Sequence, residues 1–362
     1  MATLFLTGAT GMVGREVLVR ALADPRFDRV ACLVRPGDGK TAADRLSALL
    51  KAVGAPADRA WAVAGDVVLP GLGISATDLG DLRDTTNVIH CAATVSFDHP
   101  LEEARAINVE GTRAVVDVCR RLPRLERLDA VSTAYVAGKR DDLVLESELD
   151  HGSGFHNTYE QTKYESEQLL RTADLPVAIH RPSIVVGDSR TGRTGAWKVL
   201  YWPLKVIARG WLPIIPYDPE GRLDIVPVDF VADAILALSR EKDAIGHRFH
   251  LTAGPERDAT MGQVTTEVFR RVQRRPPLRV SPRWFRRVVR PALYALPSKK
   301  LKRTLSTGLV YRPYLELRLR FDTTGADALL GRAGVRCPPV LEYLGTIVDA
   351  AIAADFGNRT DA

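Results

Sequence analysis

The tightest constraint on this chain is a glycine-rich turn placed almost at its start. Residues 7–14 read Thr-Gly-Ala-Thr-Gly-Met-Val-Gly. They lie between the apolar run Leu4–Leu6 and a helical pattern over Met12–Ala23, where Val13, Val17 and Ala21 recur every four residues with Leu18 and Leu22 beside them. Glycines at period three, Gly8, Gly11 and Gly14, let a strand turn tightly into a helix that packs close to it. They also let the backbone approach a pyrophosphate, to which the helix N-terminus offers N–H groups and partial positive charge.

The alternation continues. Strands are predicted over Val30–Val34, Ala60–Ala64, Val88–His90, Leu128–Val131 and Val177–His180, and helices over Ala42–Val53, Leu101–Leu122 and Asn157–Arg171. Strands that are nearly continuously apolar, alternating with helices, predict an α/β fold built on a doubly wound parallel sheet. After Pro182 the pattern loosens into a polar loop, Gly187–Gly195, and an apolar segment, Trp197–Tyr217, before α/β signals return at Leu223–Val228, Phe230–Ser239 and His247–Leu251. The expected division is a dinucleotide-binding domain over 1–185, completed by 223–251. The rest, 186–222 and 252–362, forms a smaller, mostly helical substrate-binding C-terminal region, with helix-like segments near Thr324–Leu330 and Val340–Ala354.

Composition excludes several classes. Four scattered cysteines (Cys32, Cys91, Cys119, Cys337) show no C-x-x-C spacing, so neither a disulfide scaffold nor a metal site is expected. With no basic-then-apolar leader and no run of 18 apolar residues, the expectation is a reduced, cytoplasmic protein without a membrane span. The net charge is +6, but the segment 270–303 holds thirteen Lys or Arg and no Asp or Glu, which leaves −7 on the remainder. Such a stretch is a solvated face, a grip for an acidic partner, or a peripheral contact with an anionic membrane through interleaved residues such as Trp284, Phe285 and Val288. No nucleic-acid-reading module accompanies the charge.

Three groups carry chemistry. Arg35 ends the second strand, 21 residues past Gly14, where NAD binders place a carboxylate for the ribose 2′-hydroxyl. A guanidinium there suits a 2′-phosphate, so NADPH is the expected cofactor. Asp66 follows the third strand and is placed to accept from the adenine amine. Tyr159 and Lys163 stand four apart on a predicted helix, one turn apart on one face. At roughly 4 Å and an effective dielectric of about 20, the ammonium would favour the phenolate by up to about 4 kcal/mol. At the carboxyl end of the fifth strand, Ser132 and Thr133 both offer a hydroxyl to a reacting carbonyl oxygen.

These pieces resemble the extended short-chain dehydrogenase/reductases, within them the fatty acyl-CoA reductase, male-sterility and carrier-protein thioester reductase branch. The matching segments are TGATGMVG (7–14), LVRP (33–36), AGDVVLPGLGIS (64–75), VIHCAATVSFD (88–98), NVEGT (108–112), VSTAYVAG (131–138), YEQTK (159–163), HRPSIVVGDSRTG (180–192) and VPVDFVADA (226–234). The resemblance implies a Rossmann fold with Thr133 as hydroxyl partner, Tyr159 as proton donor and Lys163 as tuning cation. It places Gly8, Thr10, Gly11, Met12, Val13 and Gly14 on the pyrophosphate, Arg35 on the 2′-phosphate, Asp66 and Val67 near adenine, Ala92 and Ala93 along the cofactor, and Pro182, Ser183 and Ile184 beside the nicotinamide. Asn108 and His90 are read as structural. The implied activity is NADPH-dependent reduction of an acyl-CoA or acyl-carrier-protein thioester to the aldehyde or onward to the alcohol, by a monomer or homodimer. The segment Ala196–Ile215 would suit the acyl chain. A ketone or aldehyde reductase with a hydroxysteroid- or flavonoid-like substrate would use the same residues, and a non-catalytic NADPH sensor or scaffold is the alternative of another class.

Overall fold

The computed structural model describes residues 2–197, 200–211, 214–291 and 313–358. In chain order the elements are β1 Thr3–Thr7, α1 Met12–Ala23, β2 Arg29–Val34, α2 Ala42–Val53, β3 Ala60–Ala64, α3 Ala76–Asp81, β4 Thr85–His90, α4 Leu101–Cys119, β5 Arg127–Val131, β6 Leu143–Val144, α5 Thr158–Arg171, β7 Val177–Pro182 and β8 Ile184–Val186. There follow α6 Tyr201–Arg209, β9 Ile214–Pro216, β10 Arg222–Leu223, β11 Ile225–Pro227, α7 Val228–Leu238, β12 Arg248–Leu251, β13 Ala259–Thr260, α8 Met261–Val272, β14 Leu278–Val280, α9 Pro282–Trp284, β15 Arg320–Phe321, α10 Thr324–Arg332 and α11 Val340–Ala353.

Seven parallel strands form one sheet in the order β12-β7-β5-β4-β1-β2-β3. Successive residues bury on opposite faces. Leu4 and Leu6 of β1, Val30, Cys32 and Val34 of β2 and Ile89 of β4 pack with α1, α2 and α7, while Phe5, Ala31, Leu33 and Val88 pack with α4 and Leu170 of α5. A sheet buried on both sides needs such apolar strands, which is the doubly wound Rossmann architecture expected from the sequence. The chain runs outward from β1 through β2 to β3, then returns to β4 on the other side of β1. That reversal opens a crevice at the carboxyl ends of β1 and β4.

The termini of elements differ locally from the sequence pattern. β4 begins at Thr85 rather than Val88, because Thr85 and Thr86 are buried although polar. α4 stops at Cys119, three residues early, ahead of Pro123, which disfavours helical backbone before it. The C-terminal region adds small two-stranded ribbons to its helices, antiparallel β10–β13 and parallel β14–β9, and its β15 pairs in parallel with β6 of the first domain. Among the described residues no helix is long and apolar enough to cross a membrane.

The glycine turn behaves as its spacing demands. Gly8 has φ +76°, and a Cβ there would lie 2.6 Å from the Ala92 nitrogen. A Cβ on Gly14 would lie 2.1 Å from the Gly8 carbonyl oxygen, so α1 can approach β1 only without a side chain at 14. Gly14→Ala is therefore expected to cost about 1–3 kcal/mol of folding stability by overpacking, read as a lower urea midpoint at unchanged m-value.

Candidate active site

Two adjoining cavities occupy the crevice. One, of about 330 Å³, is lined by Gly11, Met12, Val13 and Gly14 from the turn, by Ser132, Thr133, Tyr159 and Lys163, and by Pro182, Ser183 and Ile184. The second, of about 540 Å³, is lined by Gly8, Thr10, Gly11, Arg35, Asp66, Val67, Ala92 and Ala93. They share Gly11, Cys91, Ala93 and Val95. Every residue singled out from the sequence as catalytic or cofactor-binding lines one cavity or the other.

The turn fits a dinucleotide. α1 begins with Gly11 at its N-cap; no acidic residue lies in its first turn and, among the described residues, no side chain caps it, so the N–H groups and dipole there suit an anion. Arg35 is largely exposed, with Nη1 3.5 Å from the Asp66 carboxylate; that carboxylate also accepts from the Val68 N–H at 3.3 Å. Arg35 and Asp66 thus face the same end of the second cavity.

At the other end, α5 brings Tyr159 and Lys163 up to Thr133. The side chain of Asn157 caps α5 by accepting from the Glu160 N–H at 2.9 Å. Behind the site, buried Glu167 pairs with fully buried Arg181 of β7 at 2.6 Å, and Arg181 also donates to the Glu148 carbonyl at 2.9 Å. Asn108 of α4 donates to the Thr162 hydroxyl at 2.9 Å and to the Thr94 carbonyl at 3.2 Å, and its own oxygen accepts from the Thr94 N–H. Its structural role thus includes tying the loop after β4 to α5. His90 is packed between Thr7 (2.7 Å) and Thr112 (3.2 Å), and burial pulls its imidazole down to about 3, so it stays neutral.

The protonation picture departs from the simple pairing of phenol and ammonium. Burial pushes the Tyr159 phenol up to about 12; a hydrogen bond with Thr133 opposes this and the Glu160 charge adds to it. Lys163 donates to the Val131 carbonyl at 2.8 Å. Burial pulls its ammonium down to about 8, against the nearby Glu167 and Cys91. The lowering of the phenol by Lys163 that the sequence predicts is not what the structure gives: desolvation sets the direction, and it is upward. Thr133 donates to the Pro182 carbonyl at 3.3 Å, whereas among the described residues the buried hydroxyl of Ser132, a residue that also lines the cavity, finds no hydrogen-bond partner. Ser183 donates to Asp224 at 2.5 Å, and Asp224 also accepts from the Ala253 and Gly254 N–H groups. Burial nonetheless pushes that carboxyl up to about 7.

Sequence reasoning missed the aromatic wall of the first cavity, Phe97, Tyr135 and Tyr314. Phe97 and Tyr135 lie inside segments already singled out. Tyr314 follows the basic stretch and no local pattern marks it. Among the described residues the apolar segment Ala196–Ile215 contributes only Ala196 to this cavity, because Tyr201, Leu204 and Val206 turn into the core; Lys198, Val199, Leu212 and Pro213 lie outside the described residues. The basic stretch is described to residue 291, and its remainder, 292–303, lies outside. Part of it is neutralised: Arg270 and Arg271 pair with Glu267, Arg271 with Asp349, and Arg286 with Glu316. Phe285 and Val289 are buried, while Leu278, Trp284 and Val288 are exposed.

A Rossmann sheet whose crevice gathers a glycine turn, a Thr–Tyr–Lys set and an aromatic wall defines an extended short-chain dehydrogenase/reductase. Residues 6–235 match the male sterility protein family, and the chain belongs to it. It is 32% identical, in an alignment of 275 positions that covers 65% of this chain, to "Fatty acyl-CoA reductase wat" of Drosophila melanogaster, and spans about half (53%) of that protein. It is 31% identical, in an alignment of 277 positions that covers 70% of this chain, to the nonribosomal peptide synthetase asaC of Aspergillus flavus, covering 26% of that protein. The terminal R domain from the myxalamid PKS-NRPS biosynthetic pathway superposes with a TM-score of 0.83 at 27% identity, over 98% of this chain and 92% of that one.

If the Arg181–Glu167 pair anchors α5 as its burial implies, Glu167→Ala strands a buried guanidinium. The expected cost is about 3–5 kcal/mol, measured by denaturant unfolding.

Proposed function

We propose that this protein is an NADPH-dependent reductase of acyl thioesters, with acyl-CoA or an acyl-carrier-protein conjugate as substrate and the aldehyde, or beyond it the alcohol, as product. The observation that carries the reading is the meeting, in one crevice, of the glycine turn with Thr133, Tyr159 and Lys163. The named relatives, a fatty acyl-CoA reductase and a terminal R domain, support the thioester as substrate class.

When bound, NADPH would supply the hydride. The turn and the start of α1 would hold the pyrophosphate, and Arg35 the 2′-phosphate. Thr133 and Tyr159 would donate to the carbonyl oxygen as it gains charge, and Tyr159 would give up its proton. A phenol held near 12 is protonated at neutral pH, as a donor must be. Lys163, charged below about pH 8, would favour the phenolate left behind. The resulting hemithioacetal expels its thiol. Exposed Arg279, Arg283 and Arg287 suit the anionic carrier of the acyl group; beside them, exposed Leu278, Trp284 and Val288 favour a second surface reading, contact with an anionic membrane.

The deciding experiment follows NADPH oxidation against acyl-CoAs, aldehydes and ketones, with thiol release monitored and products identified by mass. Reduction of ketones without thiol release from any thioester would favour the alternative reductase. Tyr159→Phe should lower kcat by about 10²–10⁴-fold, and full activity in that variant would point to a binding protein. Arg35→Ala should weaken NADPH about ten- to a hundredfold while leaving NADH little changed, read by fluorescence titration. As pH rises through about 8, Lys163 loses its charge, so kcat/KM should fall on the alkaline side; a profile flat to pH 9.5 contradicts that role.

A further inference from the structure

We infer that Tyr314 is the specificity-determining wall of the reaction cavity, setting how much bulk a substrate can carry beside its reacting carbonyl. The inference rests on the carbonyl-reducing reading above and extends it to a residue outside the segments that carry the family resemblance.

Tyr314 lies in a short turn, Pro313–Leu315, yet lines the same cavity as Thr133 and Tyr159. Its ring stacks on Phe97, with centroids 5.6 Å apart and planes at 22°, and meets Tyr135 edge-on at 5.3 Å. Phe97 in turn stands 6.0 Å from the Tyr159 ring. The three rings therefore come from three separate segments and close one side of the space in front of the proton donor.

The wall is fixed at its polar end as well. The Tyr314 hydroxyl donates to Glu160 at 2.6 Å and accepts from the Asn157 side-chain amide at 2.8 Å. Glu160 is fully buried and also accepts from the His156 N–H at 2.8 Å. Asn157 and Glu160 are the cap and first turn of α5, the helix that carries Tyr159. Tyr314 is thus held in the same frame as the proton donor. A ring locked by stacking at one end and by a buried carboxylate at the other cannot swing aside for a larger ligand. A carbonyl oxygen received by Thr133 and Tyr159 leaves the atoms attached to that carbonyl facing the rings, so branching there meets Tyr314 while chain length does not.

The test offers four substrates with NADPH: octanoyl-CoA, 2-methyloctanoyl-CoA, octanal and 2-methyloctanal. Tyr314→Ala should raise the branched-to-linear ratio of kcat/KM about tenfold or more, and Tyr314→Trp should lower it, with NADPH affinity retained and a cooperative melting transition still present, at a lower temperature in the Ala variant because it loses the ring packing and the hydrogen bond to buried Glu160. Should Tyr314→Ala fail to fold by those two measures, Tyr314→Leu carries the same comparison. A ratio within twofold of the wild-type value in the folded variants overturns the inference. Reduction of the aldehydes alone overturns the thioester reading and leaves the Tyr314 comparison intact on the aldehyde pair. A wild-type chain that oxidises NADPH with none of the four overturns both.

Discussion

The site depends on one helix held by groups that water does not reach. α5 carries Tyr159 and Lys163, and the Glu167–Arg181 pair fastens it to β7 at 2.6 Å with both side chains buried. Removing either charge would strand the other in a low-dielectric interior, so the pair makes any other position of α5 costly. Asn108 adds a second tie at Thr162, and the Ser166 hydroxyl donates to the Asn108 carbonyl at 2.9 Å. Positions 162, 163, 166 and 167 are therefore committed to tying α5 to β5, β7 and α4. Tyr159, a turn earlier, lines the crevice together with Lys163.

Desolvation has opposite consequences for the two ionisable groups there. It raises the phenol toward 12 and lowers the ammonium toward 8, so each is driven toward its neutral form. A neutral phenol is a proton donor in its resting state, and an ammonium near the edge of its charged range can still stabilise a phenolate formed during reaction. At neutral pH the resting chain thus holds a protonated phenol one helical turn from an ammonium near the edge of its charged range.

Much of this was legible in the chain. The boundaries of α1, α2 and β3 coincide with the predicted ones, because glycine spacing, apolar periodicity and capping residues are all local. The cavity-lining roles of Gly8, Arg35, Thr133 and Tyr159 also followed from their places at strand ends or on one helix face. Tyr314 was not legible: its partners Phe97, Tyr135, Asn157 and Glu160 are all about 150 or more residues away, and no short-range pattern encodes such a meeting. Nor was the inward turn of Tyr201, Leu204 and Val206, since an apolar run reads alike whether it lines a cavity or fills a core.

By itself the amino-acid order determined the parallel sheet and the residue types at its strand ends, since periodicity and turn chemistry act over a few residues, while the strand order whose reversal opens the crevice is set by tertiary packing. Only the tertiary structure decided which side chains are dry, and with that the protonation of Tyr159 and Lys163 and the wall that faces them. Burial is a property of everything packed around a group, and those neighbours come from the whole length of the chain.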